Sequence, residues 1–139
     1  MSVFTDAERK YLGSQLLGRL ATIGPDGAPQ VRPVGYRYNA DLDTIDIGGF
    51  DMAATRKYRN VQADPRASFV VDDLASTDPW RPRGVEIRGR AEAMAAGGAT
   101  GEGMSAEFIR IHPARVLGWG LDTEPLAAPR VRTVGQTGR

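Results

Sequence analysis

Cysteine is absent from the sequence. Its absence excludes a disulfide framework, a thiolate nucleophile and cysteine-ligated zinc or iron–sulfur centres. A cysteine-free chain is compatible with a reducing cytoplasm, the location expected. Histidine occurs once, at His112, so a Ser/His/Asp triad would rest on that residue alone and a metal would find no second imidazole. We therefore read His112 as structural and expect no metal. No run of 18 apolar residues is available to cross a bilayer as a helix, and the opening "MSVFTDAERKY" has no apolar signal core, so no membrane partner is expected. Charge of one sign is also lacking: the formal net charge is +1, and no whole-molecule field calls for nucleic acid. Any anion site must be local. Lysine is scarce, at positions 10 and 57 only, every other cation being arginine.

What is present fits a folded protein of 139 residues, long enough for one core and one domain. We place that domain at 1–122 and read 123–139 as an extended tail. Thr5 and Glu8 stand at capping-box spacing ahead of Leu12, Leu16 and Leu17, which predicts a helix over about 6–17. "PDG" separates strand-like runs near 19–24 and 28–39, the pattern of a hairpin. In "TIDIGGF", Ile45 and Ile47 alternate with Thr44, Asp46 and Gly48, the period of a half-buried strand. A short helix, capped by Thr55 or Asp51, runs to about Asp64 before Pro65 stops it. "RASFVVDD" and "GVEIRGRAEAM" predict two further strands around a proline-rich loop, "TDPWRPRG". After the connector "AAGGATGEG", "AEFIRIHP" and "ARVLGWGL" predict a sixth strand or a pair divided by Pro113. Six short strands with two helices imply a small barrel, because closure removes exposed edges. The fold class is mainly β.

Most chemical constellations fail on geometry. Asp72 and Asp73 are adjacent near a strand end, face opposite ways and read as a solvated turn. "GGATGEG" lacks the lysine–serine/threonine ending of a nucleotide-binding loop. Arg88 and Arg90 share their face with Glu86 and Glu92, a balanced solvated surface. Trp80 and Trp119 read as packing or interface area. The stretch "ATRKYRN" is different. Arg56, Lys57 and Arg59 crowd into four positions at a helix start, where free backbone N–H groups add partial positive charge. With the Thr55 hydroxyl they offer convergent donors for a phosphate.

The succession "QVRPVGYRY", "TIDIGGF", "TRKYRNVQADPRASFVV", "WRPRGVEIRGRAE" and "IRIHPARVLGWGLD" resembles the flavin/deazaflavin oxidoreductases of the pyridoxamine 5′-phosphate oxidase-like superfamily. The likeness covers about 19–122 and is closest to the branch that uses the deazaflavin F420. It implies an FMN-binding-protein-like, six-stranded split β-barrel that forms a homodimer with its cofactor at the subunit interface. The family's phosphate-binding segment matches Thr55, Arg56 and Lys57, with Arg59 and Asn60 beside it. Its strand-borne basic residue matches Arg32, and Pro33, Val34 and Gly35 would follow the ring edge. Gly48 and Gly49 would give the ring bare backbone. Trp80, Arg81, Arg83 and Val85 would complete the groove from the partner chain. The ending "LDTEPLAAPRVRTVGQTGR" departs from the substrate-holding pattern of true pyridoxamine phosphate oxidases, so vitamin B6 oxidation is not expected. The resemblance implies hydride transfer between reduced F420 and an electron-poor C=C or C=N bond of a small organic substrate. Tyr36 and Tyr38 are candidate proton donors, and Arg37, Arg56, Arg59 and Arg83 candidate partners for the carboxylates of the F420 tail. The alternatives are an FMN-binding oxidoreductase and a noncatalytic carrier of flavin, deazaflavin or haem, or a small-barrel nucleic-acid binder.

Overall fold

The computed structural model describes residues 1–98, 101–122 and 126–134. The first helix, α1 (Asp6–Ser14), carries a complete capping box between Thr5 and Glu8. It ends earlier than predicted. The Ser14 hydroxyl donates to the Tyr11 carbonyl at 2.7 Å, Gln15 is already extended, and Leu17 opens β1 (Leu17–Ile23). The remaining strands are β2 (Pro29–Gly35), β3 (Arg37–Asn39), β4 (Thr44–Ile47), β5 (Arg66–Thr77), β6 (Trp80–Met94), β7 (Phe108–Trp119) and β8 (Arg130–Thr133). A 3-10 turn (Met52–Ala54) leads into the second helix, α2 (Arg56–Ala63).

The strands form one eight-stranded sheet in the order β2-β1-β5-β6-β7-β4-β3, with β8 also on β7. The single strand expected over 28–39 is thus two strands at opposite ends of this order. Only Tyr36 separates them, and one residue spans at most about 7 Å between flanking Cα atoms. The sheet must therefore curl until its two ends meet at Tyr36, which closes the expected barrel through the covalent chain. The class is mainly β, as the sequence predicts, with eight strands among the described residues instead of six.

Three other expectations change or narrow. The proline-rich loop is mostly hairpin, for β5 and β6 pair as far as Thr77 and Trp80. Asp72 and Asp73 consequently lie within β5 and not in a turn. Of the two readings for 108–119, a single strand or a pair divided by Pro113, the structure shows the single strand. Pro113 is absorbed by a bulge opposite Gly89, where the chains pass so closely that a Cβ on Gly89 would stand 2.1 Å from the His112 carbonyl oxygen. A side chain there would push the strands apart. Beyond 122, residues 130–133 add β8 to β7. Arg132 of β8 donates to the buried Glu8 carboxylate and, at 2.9 Å, to the Val3 carbonyl, which ties the two ends of the chain together.

The core is built from alternate residues of the long strands, among them Leu20, Phe69, Val71, Val85, Ile87, Ile109 and Ile111, sealed by Leu12 of α1 and by Tyr58 and Val61 of α2. No helix among the described residues is long and apolar enough to cross a membrane.

Candidate functional site

Local chemistry sets the first part of the site. Thr55 is extended and caps α2, its hydroxyl oxygen accepting from the Tyr58 N–H at 3.3 Å. The same hydroxyl donates to the Met52 carbonyl at 2.7 Å. Its proton is committed, so Thr55 shapes the helix start instead of donating to an anion. The backbone N–H groups of Arg56 and Lys57, in the open first turn, have no intrahelical acceptor and are the donors that this helix start offers.

Packing α2 against the β1–β2 hairpin brings a remote cation to this helix start. Thr22, Gln30, Arg32, Thr55, Arg56 and Lys57 line an open cleft of about 620 Å³. Burial, and then the charge of Arg32, hold the Lys57 ammonium below its ordinary value. Among the described residues, no carboxylate lies within ion-pair distance of Arg32, Arg56, Lys57 or Arg59. Lys57, partly desolvated and repelled by Arg32, together with the exposed Arg32 and Arg56, which have no carboxylate partner among the described residues, fits an anionic group that would take their charge. Arg56 also borders an adjoining cleft of about 560 Å³, whose lining includes Gly24, Gly27, Gln30, Arg59, Asn60 and the Asp64–Arg66 ion pair. Asn60 itself is buried and donates to Thr22 at 3.1 Å and Gln30 at 2.9 Å. It braces the cleft wall through these bonds, which use both amide protons.

β2 leads from this cationic cleft to a second cleft. Gln30 and Arg32 belong to the first, whereas Gly35, three residues on and about 10 Å along an extended strand, borders a cleft of about 270 Å³ with Leu16, Tyr36, Arg37, Asp46, Gly48 and others. Pro33 is exposed between them, while Val34 points into the core. Gly48 and Gly49 are not bare: a Cβ on Gly48 would meet the Met104 side chain at 3.2 Å, and one on Gly49 the Met52 side chain at 3.2 Å. Ser105 holds this covering segment in place, its N–H donating to the Gly49 carbonyl at 2.9 Å and its hydroxyl accepting from the Met52 N–H at 2.8 Å.

The tyrosine hydroxyls are engaged elsewhere. Tyr36 donates to the Leu12 carbonyl at 2.6 Å and packs edge-on against Phe69, and burial pushes its phenol up to about 12. Tyr38 donates to Asp43 at 2.6 Å, and burial, then this bond, raise its phenol as well. Arg83 forms a forked pair with Asp73 at 2.7 and 3.0 Å and lies over the Tyr11 ring. Trp80 is exposed at the β5–β6 hairpin end. Neither Trp80 nor Arg83 lines these clefts.

The floor of the second cleft carries a group that the sequence concealed. The alternation in "TIDI" predicts that Asp46 faces water, yet all four residues of β4 are buried. Asp46 accepts from Arg110 at 3.0 Å on each oxygen, from Asn39 at 2.9 Å and from Thr44 at 3.0 Å. Burial pushes its carboxyl up, but these bonds outweigh it and hold it below the usual carboxylate range. The one available signal was an aspartate between two isoleucines, which is equally the pattern of a solvent-facing strand position.

The geometry finds parallels in known proteins. The family described as Pyridoxamine 5′-phosphate oxidase matches residues 4–135. A 5a,11a-dehydrotetracycline/5a,11a-dehydrooxytetracycline reductase of Streptomyces rimosus subsp. rimosus is 44% identical over 120 residues, 86% of this chain and 84% of that protein. Among solved structures, the conserved hypothetical protein Rv2991 of Mycobacterium tuberculosis superposes with a TM-score of 0.68 at 27% identity, covering 98% of this chain and 96% of that one. A protein described as an F420 reductase superposes with a TM-score of 0.63 at 22% identity, over 81% of this chain and 98% of its own.

Proposed function

The chain belongs to the pyridoxamine 5′-phosphate oxidase family and is an oxidoreductase, and from that premise we propose that it is a reductase that uses the deazaflavin F420 to saturate an electron-poor C=C or C=N bond of a small organic substrate. One observation carries the cofactor site: the open cleft in which Arg32 and Lys57 converge with the first turn of α2, with no carboxylate within ion-pair distance of either among the described residues. The name of the 44% identical relative supports a conjugated polycyclic ketone as substrate class, and the F420 reductase that shares the fold supports the cofactor.

When bound, the cofactor supplies the hydride. The chain's contribution is to bind and orient. Arg32, Lys57 and the N–H groups of Arg56 and Lys57 would hold a phosphate, with Gln30 braced by Asn60 beside them. Arg56 and Arg59 border the adjoining cleft and suit the carboxylates of an acidic tail. The exposed edge from Arg32 to Gly35 would run beneath the ring. A second copy of this chain would cover the ring's other side, with Trp80 and Arg83 as the groups it would bring. We propose a homodimer on that ground, and a monomer in sedimentation that binds the cofactor tightly would refute it.

FMN is the second reading, favoured by a cationic cleft whose size and donor number already suffice for a single phosphate. Fluorescence titration with F420 and FMN separates the two, followed by turnover of reduced F420 against a panel of enones. Binding of F420 with turnover is the expected result. Tighter binding of FMN with no F420 turnover would replace the deazaflavin reading by the flavin one.

A further inference from the structure

The second cleft ends a row of charges that no stretch of sequence displays. Arg37 of β3 lies directly opposite Asp46 of β4, Asp46 opposite Arg110 of β7, and Arg110 opposite Glu92 of β6. Cations and anions alternate across four neighbouring strands. Within this row the pairing is unequal. Arg110 is 16% exposed and takes both oxygens of Asp46 at 3.0 Å, whereas Arg37 is 69% exposed and reaches the same carboxylate only at 3.4 Å. Asp46 is saturated by Arg110, Asn39 and Thr44, so Arg37 adds little to it and keeps most of its own hydrogen-bonding capacity. β3 is the last strand in the hydrogen-bonded order, and among the described residues Arg37 has no ion-pair partner besides Asp46. The guanidinium is left at the mouth of a cleft whose walls are flat and small, Gly35 and Gly48, or apolar, Leu16, Met104 and Phe108.

We propose that this cleft is the substrate site and that Arg37 is its specificity-determining residue, binding the carbonyl or enolate oxygen of a planar conjugated ketone, including enolised 1,3-dicarbonyl compounds. The assignment rests on the reductase reading above. It gives the charge that develops in the reaction a place to go. Addition of hydride at the β-carbon forms a C–H bond and breaks the C=C π bond, and the displaced pair moves onto the carbonyl oxygen as an enolate. A reduced flavin-type cofactor supplies the two electrons and is oxidised, and water protonates the α-carbon. The guanidinium fork strengthens its hold as the oxygen becomes anionic, which is the interaction that lowers a barrier. Asp46 and Arg110 are positioning residues: their buried pair fixes the floor against which Arg37 stands.

The test uses the purified full-length chain and a probe that needs no turnover, the enolate of cyclohexane-1,3-dione, followed by its ultraviolet difference spectrum, with the 3-methoxy enone as the analogue that cannot ionise. The expected result is dione binding tighter than ether binding, weakened about tenfold by Arg37→Gln, the loss of a charge-assisted contact, and partly restored by Arg37→Lys. Lys57→Ala should leave dione binding unchanged while weakening the cofactor, so a failure of the cofactor reading shows separately. Unaltered dione affinity in Arg37→Gln, or no preference for the dione over the ether in the unmodified chain, would overturn the assignment. Because Arg37 is exposed, its variants should keep the parent's unfolding midpoint. If a variant unfolds earlier, the dione-to-ether affinity ratio within the unmodified chain still decides the matter.

Discussion

The two clefts are built from charge in opposite ways. The cleft at α2 gathers Arg32, Arg56 and Lys57 with no carboxylate within ion-pair distance among the described residues, and it depresses the Lys57 ammonium through burial and then through Arg32. The cleft beside β3 contains a buried carboxylate over-supplied with donors, so that its local charges nearly cancel and one exposed guanidinium is left over. The first arrangement stores repulsion that a bound anion would relieve. The second is internally satisfied and rigid, suited to holding a group whose charge appears only during reaction. A cluster of like charges therefore suits a permanent anion, and a balanced buried pair suits the platform at which we propose a transient one is met.

The largest effect expected from breaking this contrast is on the platform. Asp46→Asn leaves the mostly buried Arg110 without its counter-charge, and should reduce the free energy of unfolding by about 3 kcal/mol, read by denaturant titration. The pH dependence follows from the sign of the shift. The Asp46 carboxyl is held low in the folded chain, so its contribution is complete above the unfolded value and disappears as pH falls through the folded one. The stability curves of the unmodified and Asp46→Asn chains should converge only in acid, and curves that stay parallel down to that range would show that the loss does not come from the Asp46 charge.

Lys57→Ala addresses the other cleft. It should weaken cofactor binding by about 1.5–3 kcal/mol and leave the unfolding midpoint where it was, because the variant removes a desolvated cation with no partner among the described residues. An unchanged dissociation constant in fluorescence titration would remove Lys57 from the site. A smaller effect is expected from pH. An anion binds the ammonium form, so affinity should be full below the value of Lys57 in the free chain and decline as pH rises through it, sooner than for an ordinary lysine because that value is lowered. Lys57→Arg should abolish the alkaline decline. The smallest effect is that of salt. Raising ionic strength from about 0.05 to 0.5 M shortens the screening length severalfold, and F420, with tail carboxylates near exposed Arg56 and Arg59, should lose more affinity than FMN. Equal losses would place the tail away from those arginines.

The sequence was most legible where function is local in the chain. Thr5 with Glu8 marked the first helix, Thr55 with Pro65 bounded the second, and "TRK" at its start pointed to the cleft that the structure describes. Residues whose role depends on a distant partner were not legible. Asn60 stood in the cationic stretch but turns inward to Thr22 and Gln30. Arg83 and Arg37 looked like two members of one set of surface arginines. One is held in a fork by Asp73 and the other borders a different cleft from Arg56 and Arg59.

By itself the sequence determined the class of fold and the helix start that collects positive charge, because capping, period-two alternation and clustered cations act over a few residues; the family came from resemblance to known sequences. Only the tertiary structure decided that one run, 28–39, divides at Tyr36 between the two ends of a curled sheet, and that residues 130–133 return to pair with β7. It also decided that Asp46 is buried and that Arg37, Asp46, Arg110 and Glu92 form one row. The reason is register. A strand's own sequence fixes which residues alternate, but the residue opposite each one is set by pairing with strands tens of residues away. A charge between two isoleucines faces water or a salt bridge according to what those strands bring beside it.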